Sequence, residues 1–235
     1  MRIAVMQPYF LPYIGYFQLV KSVDIFVFYD DVNFIKQGWV NRNKVLVGGK
    51  ELLFTMPLKD ASSFVTIKDT QVNKILFQKW KLKFLRTLEQ SYKKAAFFES
   101  VYPLIEDILK NDFISISDYC CVSVQKIANY LGLETKFILS SVEYHDTVEL
   151  EREKRLKEII KRNQSSHYIN PIGGQELYKK ASFEESGIKL DFIKSKPISY
   201  KQFDNEYVPW LSIIDILMFN NIDEVNKLLD QYELI

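Results

Sequence analysis

Ile3–Met6 is an apolar run that stops at Gln7-Pro8, the pattern of a buried strand ended by a proline. Ile14 to Val20 then repeats at helical spacing, and Ile25–Tyr29 is apolar and rich in strand formers. Strand, elbow, helix and strand in that order are the usual opening of a parallel sheet. The chain therefore reads as α/β, with a Rossmann-like, mostly parallel sheet. Lys44–Val47 and Glu51–Met56 flank Gly48-Gly49, a two-residue hairpin signal, so the sheet is expected to carry an antiparallel excursion.

The middle of the chain changes period. Leu76, Trp80, Phe84, Leu88 and Tyr92, supported by Ile75 and Leu85, form a helical stripe expected to be core. Pro103 fits the first turn of a second helix carrying Ile105, Ile108 and Leu109. A third helix runs through Ile116, Cys120, Val124, Ile127 and Leu131, with Gly132 at its C-terminal cap. Three helices in succession predict a helical insertion over about 71–133 within one α/β domain spanning 1–235. Strands are expected again at Thr135–Leu139, His167–Asn170 and Ile188–Ile193. Helices are expected at Glu149–Arg162, around Glu176–Lys180, at Trp210–Phe219 and at Asp223–Leu229.

Charge excludes some function classes. With 31 basic and 30 acidic side chains, no global field draws the protein to nucleic acid or an anionic membrane, so an anion must be caught locally. The apolar runs fall far short of the roughly 20 residues that span a bilayer. No basic segment followed by a long apolar stretch opens the chain. No membrane insertion and a cytoplasmic location are expected. Cys120 and Cys121 are adjacent, where a bridge would be strained, and read as small hydrophobes in a helix. Their spacing from the two histidines matches no zinc pattern, so no metal is assigned.

Four stretches could carry chemistry. The elbow, Gln7 to Gln18, sets two prolines and a glycine after a strand, where α/β proteins place ligands, and ends at a helix N-terminus able to meet a phosphate. Gln7, Tyr13 and Tyr16 are its candidate ligand contacts, against a plain aromatic corner. The second, Tyr29 to Asn43, gathers two carboxylates, cations, amides and a tryptophan behind a buried strand. Asp30 or Asp31 could act as a general base, while Lys36 and Arg42 take an anion and Trp39 and Asn41 line the site. The bland alternative is a turn cap with solvated charges. In the third, Asn170-Pro171 leads through Gly173-Gly174 to a helix start, a backbone nest for an anion that lacks the spacing of a P-loop or a dinucleotide fingerprint. His167 reads as structural and His145 as solvent-facing. In the fourth, Asp215 lies between apolar neighbours in a helix and requires a partner, expected to be a basic residue that it anchors, the alternative being that it orients a residue of the site.

The strand, proline loop and helix are similar to the opening of nucleotidylyltransferases of the pantothenate synthetase type. Where those carry His-x-Gly-His, this chain reads Tyr13-Ile14-Gly15-Tyr16, and tyrosines do not supply cationic imidazoles. The opening from Met6 to Gln18, the segment from Tyr29 to Asn43, Asn170 to Tyr178, and Leu211 to Asp215 together resemble the WbqC-like family. That resemblance implies a bacterial protein associated with surface-polysaccharide (O-antigen) genes. It carries over no catalytic assignments, and the cofactor is left unknown. Three functions follow as expectations. The first is a transferase modifying an activated, nucleotide-linked sugar, by acyl or aminoacyl transfer to an amino sugar. The second is nucleotidyl transfer to a sugar phosphate. The third is a non-catalytic scaffold of a polysaccharide-assembly complex. The expected partner is a small-molecule substrate, a sugar nucleotide or an acyl donor.

Overall fold

The computed structural model describes residues 1–204 and 206–235. β1 (Arg2–Met6), α1 (Ile14–Lys21) and β2 (Ile25–Phe28) form the expected opening, with β1 and β2 parallel from Ile3 opposite Ile25 to Met6 opposite Phe28. The chain then leaves the sheet. β3 (Arg42–Val47) and β4 (Lys50–Thr55) make a hairpin of their own, turned by Gly48 and Gly49 at φ 57° and 76°, the left-handed pair that a type I′ turn requires. β5 (Leu58–Lys59) pairs with β6 (Gln71–Val72), and three helices follow: α2 (Lys74–Tyr92), α3 (Phe98–Leu109) and α4 (Ile116–Tyr130).

The sheet resumes at β7 (Lys136–Leu139), beside β2, and the chain passes through α5 (Ser140–Glu143) and α6 (Arg152–Arg162) to the other side of β1. There β8 (His167–Pro171), α7 (Lys180–Glu184) and β9 (Lys189–Ser195) extend the parallel sheet. After α8 (Ile213–Phe219) and α9 (Ile222–Leu229), β10 (Tyr232–Leu234) closes the edge antiparallel to β9. The order β10-β9-β8-β1-β2-β7 is a doubly wound sheet that reverses direction between β1 and β8.

The two-residue period of the strands decides what covers each face. Ala4, Phe26, Phe28, Ile169 and Ile193 point to the face packed by α1, the three middle helices, α8 and α9. Ile3, Val5, Ile25, Val27, Tyr168, Leu190 and Phe192 point to the opposite face, under Leu156, Ile159 and Ile160 of α6 and Phe183 of α7. Each side chain of this size stabilises by about 1.5–3 kcal/mol when fully buried, so a one-residue slip of β1 or β2 would exchange both cores at once.

Three expectations are corrected. The buried stripe of α2 is Phe77, Phe84, Leu88 and Tyr92, whereas Ile75 and Leu76 are 80% and 51% exposed. Phe77 shares a face with Phe84 two turns later, and Leu76 is rotated about 100° off it. α3 begins at Phe98, so Pro103 lies inside the helix rather than in its first turn. Asp215 is fully buried with no basic partner among the described residues: Oδ1 accepts from the Tyr92 hydroxyl at 2.7 Å, and Oδ2 from the Tyr200 hydroxyl at 2.7 Å and Gln202 Nε2 at 2.6 Å. α4 ends as expected, with Gly132 at φ 71° and Leu133 N–H donating back to the Ala128 carbonyl.

Burial pushes the Asp215 carboxyl above its ordinary 3.8, and the three neutral donors only partly oppose it. The folded chain therefore keeps this proton to a higher pH than the unfolded chain does. The favourable contribution is complete below 3.8 and is lost as pH rises through the raised folded value. Urea unfolding of wild type and Asp215→Asn across a pH series should show the wild-type advantage falling as pH rises through that window. A difference that is flat in pH contradicts the raised carboxyl.

Candidate active site

The reversal of strand order leaves the carboxyl ends of β1 and β8 uncrossed by any connection, the place where open α/β sheets bind ligands. A cavity of about 400 Å³ lies there. Met6 and Gln7 come from the end of β1, and Tyr168 and Asn170 from β8. Gly173 and Gly174 follow on a short 3-10 turn, Tyr29 lies just past β2, and Arg152 opens α6.

Asn170 is the most informative of these. It is 6% exposed, yet its side-chain amide makes no hydrogen bond among the described residues, and it lines the cavity. Neither atom of the Asn170 amide is sealed off from the cavity, so a ligand or solvent there can satisfy both. Its position depends on Gly174, where an added Cβ would run into Asn170 Nδ2. The glycine is there for close approach rather than for φ. The Gln7 side chain also has no hydrogen-bond partner among the described residues, while the Gln7 backbone carbonyl accepts from the buried Tyr16 hydroxyl at 2.9 Å.

Tyr29, Tyr168 and Tyr178 supply the remaining polar wall. Burial pushes all three phenols upward, and the three rings lie close enough to raise Tyr168 further. At neutral pH they are neutral hydroxyls, able to donate or accept. Arg152 forms no ion pair among the described residues, and it occupies the first residue of α6, where the helix dipole disfavours a cation. Such a placement suits an anion from outside. None of the lining residues is Asp, Glu, His or Cys.

Asp30 and Asp31 stand behind this wall. Asp30 is 3% exposed, and its carboxylate accepts from Ser140 Oγ at 3.0 Å, Ser141 N at 3.0 Å and Ser141 Oγ at 2.6 Å. The Ser140 hydroxyl also lies 2.6 Å from Asp31 Oδ1. Asp31 Oδ2 pairs with Arg155 at 2.6 Å, with only 5% of the arginine and 3% of the aspartate side chain exposed. Arg155 in turn lies over the Tyr29 ring at 4.7 Å and donates to Thr147 Oγ1 at 3.0 Å. The aspartates thus fix the Tyr29 wall through Ser140, Ser141 and Arg155.

The remaining sequence candidates divide. Tyr13 and Trp39 line a second cavity of about 370 Å³ that shares Met6 with the first. Tyr16 and Asn41 are buried and line neither, Asn41 donating to the Met56 carbonyl at 2.8 Å. Lys36 is exposed outside both; Arg42 stacks on Trp39 at 5.6 Å. Gln7, Asn170, Gly173 and Gly174 come together at the first cavity. His167 pairs with Asp191 at 2.8 Å at the start of β8, away from it. Sequence reasoning missed Arg152, which nothing local separates from the other cations of α6, and passed over Tyr168 and Tyr178 inside a stretch it had marked.

The fold and this cavity define a doubly wound α/β protein with a cavity of mixed apolar and polar lining at its switch point. The chain belongs to the WbqC-like protein family, matching it over residues 7–227. It is similar to an uncharacterized protein of Mycobacterium tuberculosis (strain ATCC 25618 / H37Rv), at 25% identity covering 92% of each chain. No solved structure matches it.

Replacing Arg155 by alanine strands the Asp31 charge in a dry setting. The expected cost is about 3–5 kcal/mol in urea unfolding. A loss below 1 kcal/mol would show that the pair is solvated.

Proposed function

We propose that the switch-point cavity binds an activated, nucleotide-linked sugar, and that the protein is a transferase moving an acyl or aminoacyl group onto an amino sugar in surface-polysaccharide assembly. The observation that carries this reading is the Asn170 amide, unpartnered among the described residues and open to the cavity. Asn170 and Gln7 each offer a donor and an acceptor, the pairing that adjacent ring hydroxyls satisfy. The neutral hydroxyls of Tyr29, Tyr168 and Tyr178 extend the set, and Arg152 meets a phosphate with charge-assisted hydrogen bonds.

The lining carries no nucleophile or carboxylate base, so the substrate supplies the attacking atom. The amine nitrogen of the sugar adds to the carbonyl carbon of an activated ester or thioester donor. The donor's leaving group departs with its electron pair, and the amine proton passes to solvent. The protein contributes orientation and hydrogen-bond donors. Asp30 and Asp31 act in this reading as positioning residues, because the bonds to Ser140, Ser141 and Arg155 occupy them. The family setting, polysaccharide assembly, supports an amino-sugar acceptor over other polyhydroxylated anions.

Calorimetric titration with UDP-N-acetylglucosamine and with N-acetylglucosamine 1-phosphate tests the site. Wild type should bind both, and Arg152→Gln should weaken both by roughly tenfold or more, the worth of a hydrogen bond to a charged group. Asn170→Ala should weaken both while leaving the unfolding midpoint nearly unchanged, since that amide has no protein bond to lose. Wild-type affinity in the double variant would defeat the assignment.

A further inference from the structure

We infer that the second cavity, walled by Trp39 and Trp210, is a nucleobase subsite continuous in function with the switch-point cavity, so that the protein holds a nucleoside diphosphate sugar across Met6. This rests on the sugar reading given above and adds where the base goes. Met6 lines both cavities, so one ligand laid across it would reach both.

The aromatic set is the first argument. Tyr9, Tyr13, Trp39 and Trp210 surround the cavity, with Trp39 45% and Trp210 64% exposed. Two large aromatic rings left open on one hollow mark a binding surface rather than leftover core. Trp210 is also held in place against backbone preference, at φ 60°. The hydrogen bonds from Ser212 N–H to the Lys44 carbonyl and from Ile213 N–H to the Pro12 carbonyl, each 2.8 Å, keep it there, with its ring edge-on to Tyr13 at 6.1 Å. A strained tryptophan at the mouth of a cavity is the kind of cost that function sustains.

The second argument is what the cavity lacks. The Asn43 amide is already committed, donating to the Leu11 carbonyl at 2.9 Å and accepting from Lys44 N–H at 2.8 Å. Lys44 is paired with Glu51 at 2.7 Å. Faces for stacking remain, together with the Tyr9 and Tyr13 hydroxyls, which burial keeps protonated, Tyr9 being pushed up to about 12. A flat heteroaromatic ring uses such faces, and a phosphate or a sugar rich in hydroxyls does not. The two cavities therefore divide one ligand, with hydroxyl and phosphate recognition on the Asn170 and Arg152 side and ring stacking on the tryptophan side.

Calorimetry with uridine, thymidine and guanosine diphosphates, alongside N-acetylglucosamine 1-phosphate, separates this from the sugar reading. Trp39→Ala and Trp210→Ala should each weaken the preferred nucleoside diphosphate by roughly 5- to 150-fold, the range for losing one base stack. Sugar 1-phosphate affinity should be unchanged, and Trp210→Phe should recover most of the loss. Circular dichroism confirms that these exposed-residue variants fold. If a wild type that binds the sugar 1-phosphate ignores all three diphosphates, or if the alanine variants bind them at full strength, the nucleobase subsite is refuted and the sugar reading stands. Tryptophan-dependent diphosphate binding in a protein blind to the sugar 1-phosphate refutes the sugar reading instead. Binding of neither class overturns both.

Discussion

Leu11 sits in the left-handed region at φ 48°, where a leucine costs about 1–2 kcal/mol, and the site depends on its staying there. Its carbonyl accepts from Asn43 Nδ2 at 2.9 Å and from the Ser212 hydroxyl at 2.7 Å, and its N–H reaches Ser123 Oγ at 3.2 Å. Phe10 N–H donates to the Val40 carbonyl at 2.9 Å. Partners drawn from the hairpin, α4 and the cap of α8 thus converge on one reversed residue. Bending the chain here turns Gln7 toward the switch point and Tyr9, Pro12 and Tyr13 toward the second cavity. The elbow is a hub of packing first, and through that a wall for two cavities.

The buried aspartates follow the same logic from the other side of β1. An unpaired carboxylate in this setting would be strongly unfavourable, and a paired one gives little net stability beyond what an apolar pair would give. What the Asp31–Arg155 pair supplies is placement. It ties the end of β2 to α6, the helix that reaches the far half of the sheet, and holds Tyr29 beneath the guanidinium. Ser140, sitting between Asp30 and Asp31, adds the start of α5 to the same knot. A charged cluster that looks reactive along the sequence is thereby spent on fixing the cavity's geometry.

This shows which parts of the molecule the sequence could disclose. β1, α1, β2, the Gly48-Gly49 turn and the Gly132 cap are local: two-residue and 3.6-residue periods and left-handed glycines mark them without knowledge of neighbours. Gln7, Asn170 and the glycines were legible because a polar residue at a strand end next to a proline needs a partner beyond its own strand. Asp30 and Asp31 are visible as a carboxylate pair but their partners are not, because Ser140, Ser141 and Arg155 are more than a hundred residues away. Asp215 differs, since only Tyr92 is remote: that phenol, with the phenol of Tyr200 and the amide of Gln202 from a single nearby segment, stands where a cation is expected. The direction of Leu76 was lost to a single residue of helical phase.

The division between the two cavities follows from the sheet itself. A doubly wound sheet leaves its gap only where the strand order reverses, and residues at the ends of β1 and β8 carry the unpaired amides there. The elbow after β1 is too stiff, with Pro8, Pro12 and the left-handed Leu11, to close over that gap. It turns away and, with Trp39 and Trp210, builds a second hollow beside the first. One strand end therefore serves both, through Met6. On the transferase reading, a cavity lined by amide and hydroxyl donors, a cation and aromatic faces acts by holding two reactants in register, which can be worth several kcal/mol of barrier without any proton transfer by the protein. On that same reading Asp30 and Asp31 keep the walls still while the substrates supply the reactive atoms.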